Sequence, residues 1–438
     1  MSRTAYGAAV GTPPAQDSLS TAQRSALRKT AWRFLPLLTI AYLFNYLDRT
    51  AISFAALTMN QDIGLTNTQL GLAAGFFFLS YTLCEVPSNL ALYRFGARRW
   101  IARIMVTWGV VSAATAFVTG PESLYAMRFL LGVAEAGFFP GIAFFLSAWF
   151  PREYRTRMLA WFLVGIPASS LVGAPLCTAL LEMDGIWGLA GWQWMFIMVS
   201  LPCIVLGFVV LKVLADRPEE ASWLNREEAS ALRQMLNAET HDRPKTSLAG
   251  ALSDVRVWVL ALVQFGFTLG SYGIGIWLPL ILREFQLSNL AIGTLAFVPY
   301  VFAVAGMLAW AWYADRTGAK IYNLALSCLL AVIGLSAYAF FQSLTLLLIC
   351  LTMALVGITA ARAIFWSIPP RLLTGVAAAG GIAFINTVGT TGGFVGPYMM
   401  GYLRDATGGF EQGILVMAGV MAVTTILALS LKLTVKQE

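Results

Sequence analysis

Apolar stretches of roughly 20 residues recur along the chain, separated by short polar turns, and each is long enough to cross about 30 Å of hydrocarbon as a helix. Twelve are predicted, near 31–57, 69–92, 100–118, 123–148, 157–181, 192–214, 255–281, 291–313, 321–341, 344–367, 375–401 and 413–432. One long polar segment, residues 216–252, divides them six and six. Its middle, Ser222 to Asn237, is spaced either as a short amphipathic helix on a membrane surface or as a solvated tether. The organisation expected is a disordered tail over 1–30, rich in Ala, Ser, Thr, Gly and Pro, then a bundle over 31–215, the loop 216–252, and a second bundle over 253–438. The tail lacks a basic start followed by an apolar run, so no cleavable signal is expected.

Composition sharpens this pattern. The chain is 58% hydrophobic and 12% charged, against about 25% charged in soluble domains, and its mean hydropathy is +0.72. The class is all-α integral membrane. Lys and Arg crowd one side: Arg24, Arg28, Lys29 and Arg33, then Arg94, Arg98, Arg99 and Arg103, then Arg152, Arg155, Arg157 and the central loop, with Arg283 and Arg404 opposite. Positive residues stay cytoplasmic, so both termini are expected on the cytoplasmic side of the membrane, taken here as a bacterial inner membrane. The net charge of +7 then concerns topology and anionic lipid, not nucleic acid.

Five cysteines (Cys84, Cys177, Cys203, Cys328, Cys350) fall inside apolar segments without CxxC spacing and read as buried thiols. The single histidine, His241, cannot assemble a zinc site or a His-based triad. An enzyme is therefore disfavoured for want of a nucleophile–base pair or metal cluster, and a sensor for want of a signalling domain. No metal or cofactor is expected.

The chemistry lies in four charges inside apolar stretches: Asp48 and Arg49 in the first, Arg128 and Glu135 in the fourth. Each would cost roughly 2.5–3.5 kcal/mol if it faced lipid at mid-membrane. They must face a polar interior and one another. Arg128 and Glu135 are seven residues apart, on one helix face but about 10.5 Å apart along the axis, so each needs a partner elsewhere. Tyr42, Asn45 and Arg49 make a polar stripe, with Tyr46 beside it. A guanidinium suits a carboxylate bidentately and stays charged. Asp48 and Glu135 could exchange protons as such contacts rearrange; the same four charges could also brace the first span against the fourth.

The halves look duplicated. "YRFGARRW" (93–100) and "ADRTGAKI" (314–321) align at an offset of 222 residues, matching Arg94 to Arg316, Gly96 to Gly318 and Arg98 to Lys320, and the same offset carries Pro175 onto Pro397. The segment "ADRTGAK", with Asp315, Arg316 and Gly318, resembles the cytoplasmic loop signature of the major facilitator superfamily. The first copy departs from it, with Tyr93 where Asp is usual and Asn89 where Gly is. That departure, with "NYLDR" (45–49), "VPSNL" (86–90) and "RFLLGVAEAGFFPG" (128–141), resembles the anion:cation symporter branch, whose members carry hexuronates, aldonates, tartrate, phthalate and other aromatic acids, and in animals sialic acid and glutamate.

The resemblance implies twelve transmembrane helices in two pseudo-symmetric six-helix bundles, the major facilitator fold, with protons as coupling ion entering through Asp48 and Glu135. It also implies a substrate-facing tyrosine at Tyr81. Remaining candidates are weaker. Glu85 is either a cytoplasmic gate with the loop arginines or a surface position. Arg362, which shares a face with Trp366, reads as a cytoplasmic-side anchor or gate. Asn386 reads as a substrate contact or interhelical glue, and Gln264 as a further contact. Trp187, Trp192 and Trp194 fit an interfacial belt. The fifth span offers Ser169 and Ser170 but no amide, which leans toward a less hydroxylated, aromatic acid. The expectation is proton-coupled uptake of a small organic anion by a monomer working by alternating access, with an anion exchanger or exporter as the alternative.

Overall fold

The computed structural model describes residues 19–238, 254–369 and 376–434; His241 and the stretch 239–252 of the expected loop lie outside the described residues. The first helix, α1 (Thr21–Asp62), starts well inside the expected tail. Ser20 accepts from the Gln23 amide and the Gln23 side chain accepts from the Ser20 amide, a reciprocal cap that settles the start. The first half continues with α2 (Asn67–Phe95), α3 (Ala97–Ala114), α4 (Pro121–Glu135), α5 (Phe138–Trp149), α6 (Arg152–Leu163), α7 (Gly165–Leu181) and α8 (Gly191–Val213). After α9 (Arg226–Ala238) come α10 (Val255–Arg283), α11 (Asn289–Thr317), α12 (Lys320–Tyr338), α13 (Leu344–Phe365), α14 (Val376–Thr390), α15 (Gly392–Thr407) and α16 (Glu411–Thr434).

Among the described residues, ten of the expected spans are long and apolar enough to cross a membrane. The other two are the stretch with the polar stripe, inside α1, and the glycine- and threonine-rich stretch divided between α14 and α15. With them the fold is the expected twelve-helix, all-α architecture. The fourth, fifth and eleventh spans are each broken near their middle, between α4 and α5, α6 and α7, and α14 and α15. The duplication is visible in the backbone: α2 and α11 are both 29 residues long and begin 222 residues apart, at Asn67 and Asn289.

The halves meet at the end opposite α9, here the far end. There α2 crosses α15 and α11 crosses α7 at equivalent glycines. A Cβ on Gly71 would overlap the Pro397 carbonyl, and one on Gly293 would overlap Thr178. Asp405 of α15 accepts from the amides of Asn67 (3.2 Å) and Thr68 (2.7 Å) at the start of α2, and from their side chains at 2.7 and 2.6 Å. A carboxylate there satisfies orphan amides and complements the helix dipole. At the equivalent crossing, Glu182 accepts from Asn289 at 3.3 Å.

The loop end is organised differently. Glu228 caps α9, exchanging bonds with Asn225 (3.0 and 2.7 Å), and also accepts from Ser25 (2.6 Å) and Lys29 (2.9 Å) of α1. Trp223 lies under Arg33 and against Phe34 and Trp149. The amphipathic helix therefore docks on the first half. The belt expectation fails for two tryptophans. Trp187 is exposed, but Trp192 and Trp194 are buried, donating to Asp62 (2.7 Å) and the Ile186 carbonyl (2.9 Å). The cysteines are free, all buried except the half-buried Cys84.

Two outcomes are expected. Gly71→Val and Gly293→Val push their crossings apart, so spin labels on Gln61→Cys and Glu411→Cys gain a longer distance component in a dipolar measurement. The bonds from Lys29, Ser25 and Asn225 hold the Glu228 carboxyl down at about 2, against an ordinary value of about 4.3. Its stabilising effect is thus complete above the ordinary value and is lost only as pH falls toward 2. Trypsin should cut α9 at Arg226 and Arg233 equally slowly at pH 8 and pH 5, and faster in Glu228→Gln.

Candidate functional site

The motif "RFLLGVAEAGFFPG" builds the site by letting the fourth span approach α2. At Gly132 a Cβ would overlap Ser80 and the Phe77 carbonyl. Gly137, at φ +86°, breaks the helix directly after Glu135, where a Cβ would meet Ser88 at 2.8 Å or closer. These contacts seat Glu135 and Arg128 against α1 and α2, inside the first half.

There the four charges are resolved. Arg49 Nε and Nη2 both donate to Glu135 Oε1. Asp48 accepts from Ser112 of α3 and lies with Arg128 in the same buried group. Asn45, Asp48, Arg128 and Glu135 are each at most 1% exposed. Phe77, fully buried, packs against both guanidinia, with Arg49 at 5.3 Å and Arg128 at 5.0 Å from its ring. Two cations and two anions cancel, so the group is formally neutral. Asn45 lies against Glu135, and Asp48 Oδ2 and Arg128 Nε and Nη1 have no protein hydrogen-bond partner among the described residues.

Arg49 faces outward from this group toward the second half. Its guanidinium lies 4.9 Å from the Tyr81 ring and 5.5 Å from Tyr46. The Tyr46 hydroxyl meets that of Tyr272, on α10, at 3.2 Å. Arg362, half-buried in the last turn of α13, approaches the Tyr46 hydroxyl and lies 5.9 Å from the Phe267 ring. Gln264 Nε2 donates to Asn386 Oδ1 at 3.2 Å, joining α10 to α14.

The structure thus unites Arg49, Tyr46, Tyr81 and Arg362 where the halves face each other, with Gln264 and Asn386 paired on the second half. Asn45, expected as a substrate contact, is fully buried beside Glu135. Arg362 belongs with the central group more than with an outlying gate. Trp366 is 38% exposed and packs on Phe365. Glu85 is half-buried, one turn beyond Tyr81, within electrostatic reach of Arg49.

The loop residues form separate clusters. Gly96, at φ +87°, turns α2 into α3; the Arg98 amide donates to Asp216 (2.9 Å) and its guanidinium Nε donates to the Leu211 carbonyl (2.6 Å). Asp216, from the end of α8, supplies a carboxylate near the turn that carries Tyr93. Asn89 sits against Gly137, and Arg94 lies over Phe95. In the second copy Asp315 pairs with Lys320, Arg316 covers Trp312, and Gly318 ends α11. Tyr272, Ser112, Asp216 and Asp405 were not singled out from the sequence. The signals available were a tyrosine between glycines in "GSYGIG" and an aspartate at the end of a span.

Removing one partner of a buried charge set costs about 3–5 kcal/mol. Arg128→Leu should therefore lower the unfolding temperature in detergent markedly. Adding Asp48→Leu should recover part of the loss, because two apolar side chains replace two charges.

Residues 38–397 match the Major Facilitator Superfamily, and residues 260–438 match it again. A "Putative tartrate transporter" of Agrobacterium vitis is 48% identical over 422 residues, covering 96% of this chain and 97% of that one. A "Quinolone resistance transporter" of Acinetobacter baumannii is 38% identical over 403 residues, covering 91% and 93%. The crystal structure of a bacterial homologue of the human lysosomal transporter Spinster, inward-facing and occupied, superposes with a TM-score of 0.76 at 15% identity, covering 95% of this chain and 98% of that one. At that identity the likeness speaks for the fold alone. Sequence and fold agree: the chain belongs to the Major Facilitator Superfamily, a family of membrane transporters.

Proposed function

We propose that the protein takes up a small organic anion together with protons, by alternating access, as a monomer in a bacterial inner membrane with both termini cytoplasmic. The observation that carries the reading is the Arg49–Glu135 pair. A carboxylate substrate and Glu135 compete for one guanidinium. When substrate takes Arg49, Glu135 is left in a water-poor interior, where a carboxylate without its cation is stable only as the acid. Binding of the anion and uptake of a proton are thereby linked. Asp48, buried in the same group, is a second proton site, and Arg128 is the fixed cation beside them.

Tyr46, Tyr81, Gln264 and Asn386 provide donors around the anion, and the Asp315 and Arg98 clusters belong to the cytoplasmic gate. The relative named for tartrate supports an organic acid; it weighs against the aromatic preference drawn from the fifth span. The relative named for quinolone resistance supports a second reading, export of anionic compounds on the same fold.

Uptake of labelled organic acids into proteoliposomes, with and without an inward proton gradient, tests the proposal. Wild type should accumulate substrate only with the gradient. Asp48→Asn and Glu135→Gln should lose accumulation but keep counterflow exchange, and Arg49→Ala should lose both. Gradient-independent accumulation in wild type would overturn proton symport.

A further inference from the structure

Arg362 supplies a charge that the coupling scheme does not use. It stands on the second half, facing Arg49 on the first across one hydroxyl pair, Tyr46 and Tyr272, which both guanidinia approach. The two hydroxyls are neutral and balance neither cation. Arg49 is matched by Glu135, whereas Arg362 has no carboxylate within ion-pair distance among the described residues. Glu85, the other half-buried carboxylate of this region, lies on the Arg49 side.

Arg362 therefore stands without an ion-pair partner at rest. Once Glu135 is protonated and released, Arg49 loses its ion-pair partner as well, and the two guanidinia belong to opposite halves. A monocarboxylate on Arg49 would leave Arg362 unmatched in a partly buried setting, which is unfavourable. A dianion would satisfy both.

We propose that Arg362 is a second anion anchor and that the substrate is a dicarboxylate, one carboxylate on Arg49 and the other on Arg362. This rests on the anion-transport reading and narrows it. A substrate held at both ends ties the first half to the second, so binding itself would favour closure around it. A monoacid would engage one half only. The Gln264–Asn386 pair, on the Arg362 side, offers amide groups to substituents between the carboxylates.

The test compares diacids with acids of the same size bearing a single charge. Proteoliposomes take up labelled succinate, malate or tartrate at pH 7 in competition with the corresponding half-amide. Wild type should prefer the diacid by about ten- to a hundredfold, the range expected for one charge-assisted contact. Arg362→Gln should erase most of that preference by raising KM for the diacid, while Arg362→Lys, which keeps the charge, should retain part of it. Equal use of half-amide and diacid by wild type would overturn the dicarboxylate inference alone, with no variant needed. So would an equal loss for both ligands in Arg362→Gln. If wild type took up no organic acid, the anion-transport reading would fall and this inference with it.

Discussion

The ion pair between Arg49 and Glu135 is the contact on which the rest of the first half is arranged. It is buried, so it survives only if the surrounding helices exclude water and supply the compensating charges. Asp48 and Arg128 do the latter, making the group neutral, and the Phe77 ring packs against both guanidinia. The glycines of the fourth span do the former by drawing it onto α2. Asp48 Oδ2 and Arg128 Nε and Nη1 find no protein partner among the described residues, so it is charge balance more than a closed set of hydrogen bonds that holds the group together.

The duplicated architecture makes this asymmetry informative. The 222-residue offset that superposes the starts of α2 and α11 also relates Gly71 to Gly293. Applied to the four charges, it reaches Gly270, Ser271, Cys350 and Gly357. Gly270 packs on Ile358, and Gly357 on Ser327 and Ala331. The second half closes with small residues where the first half holds ions. The repeat has kept the glycine crossings in both halves, while the group of four charges stands in the first.

Much of this was legible in the sequence because it depends on local or periodic signals. Length and hydropathy mark the spans, the offset marks the duplication, and charge inside an apolar run marks Asp48, Arg49, Arg128 and Glu135. Seven-residue spacing also implies separate partners for Arg128 and Glu135, as found for the Arg49–Glu135 pair. What escaped depends on neighbours distant in sequence. Asn45 shares a helical stripe with Arg49 but turns inward, because helical spacing gives a face without saying what covers it. Asp216 and Asp405 act on the starts of other helices, about 120 and 340 residues away. Trp192 and Trp194 look interfacial by type, but their ring nitrogens find partners inside the protein.

The far-end closure and the central group constrain each other. The Asp405 cap and the Gly71 crossing hold α2 against α15, while Tyr272 of α10 touches Phe78 of α2 and Tyr46 of α1. Separating the halves at the far end must therefore break the hydroxyl contact next to Arg49 as well as the bonds to Asp405. Glu182 offers one bond at the equivalent crossing where Asp405 offers four, so the polar bonds that such a separation must break are concentrated on the α2–α15 side.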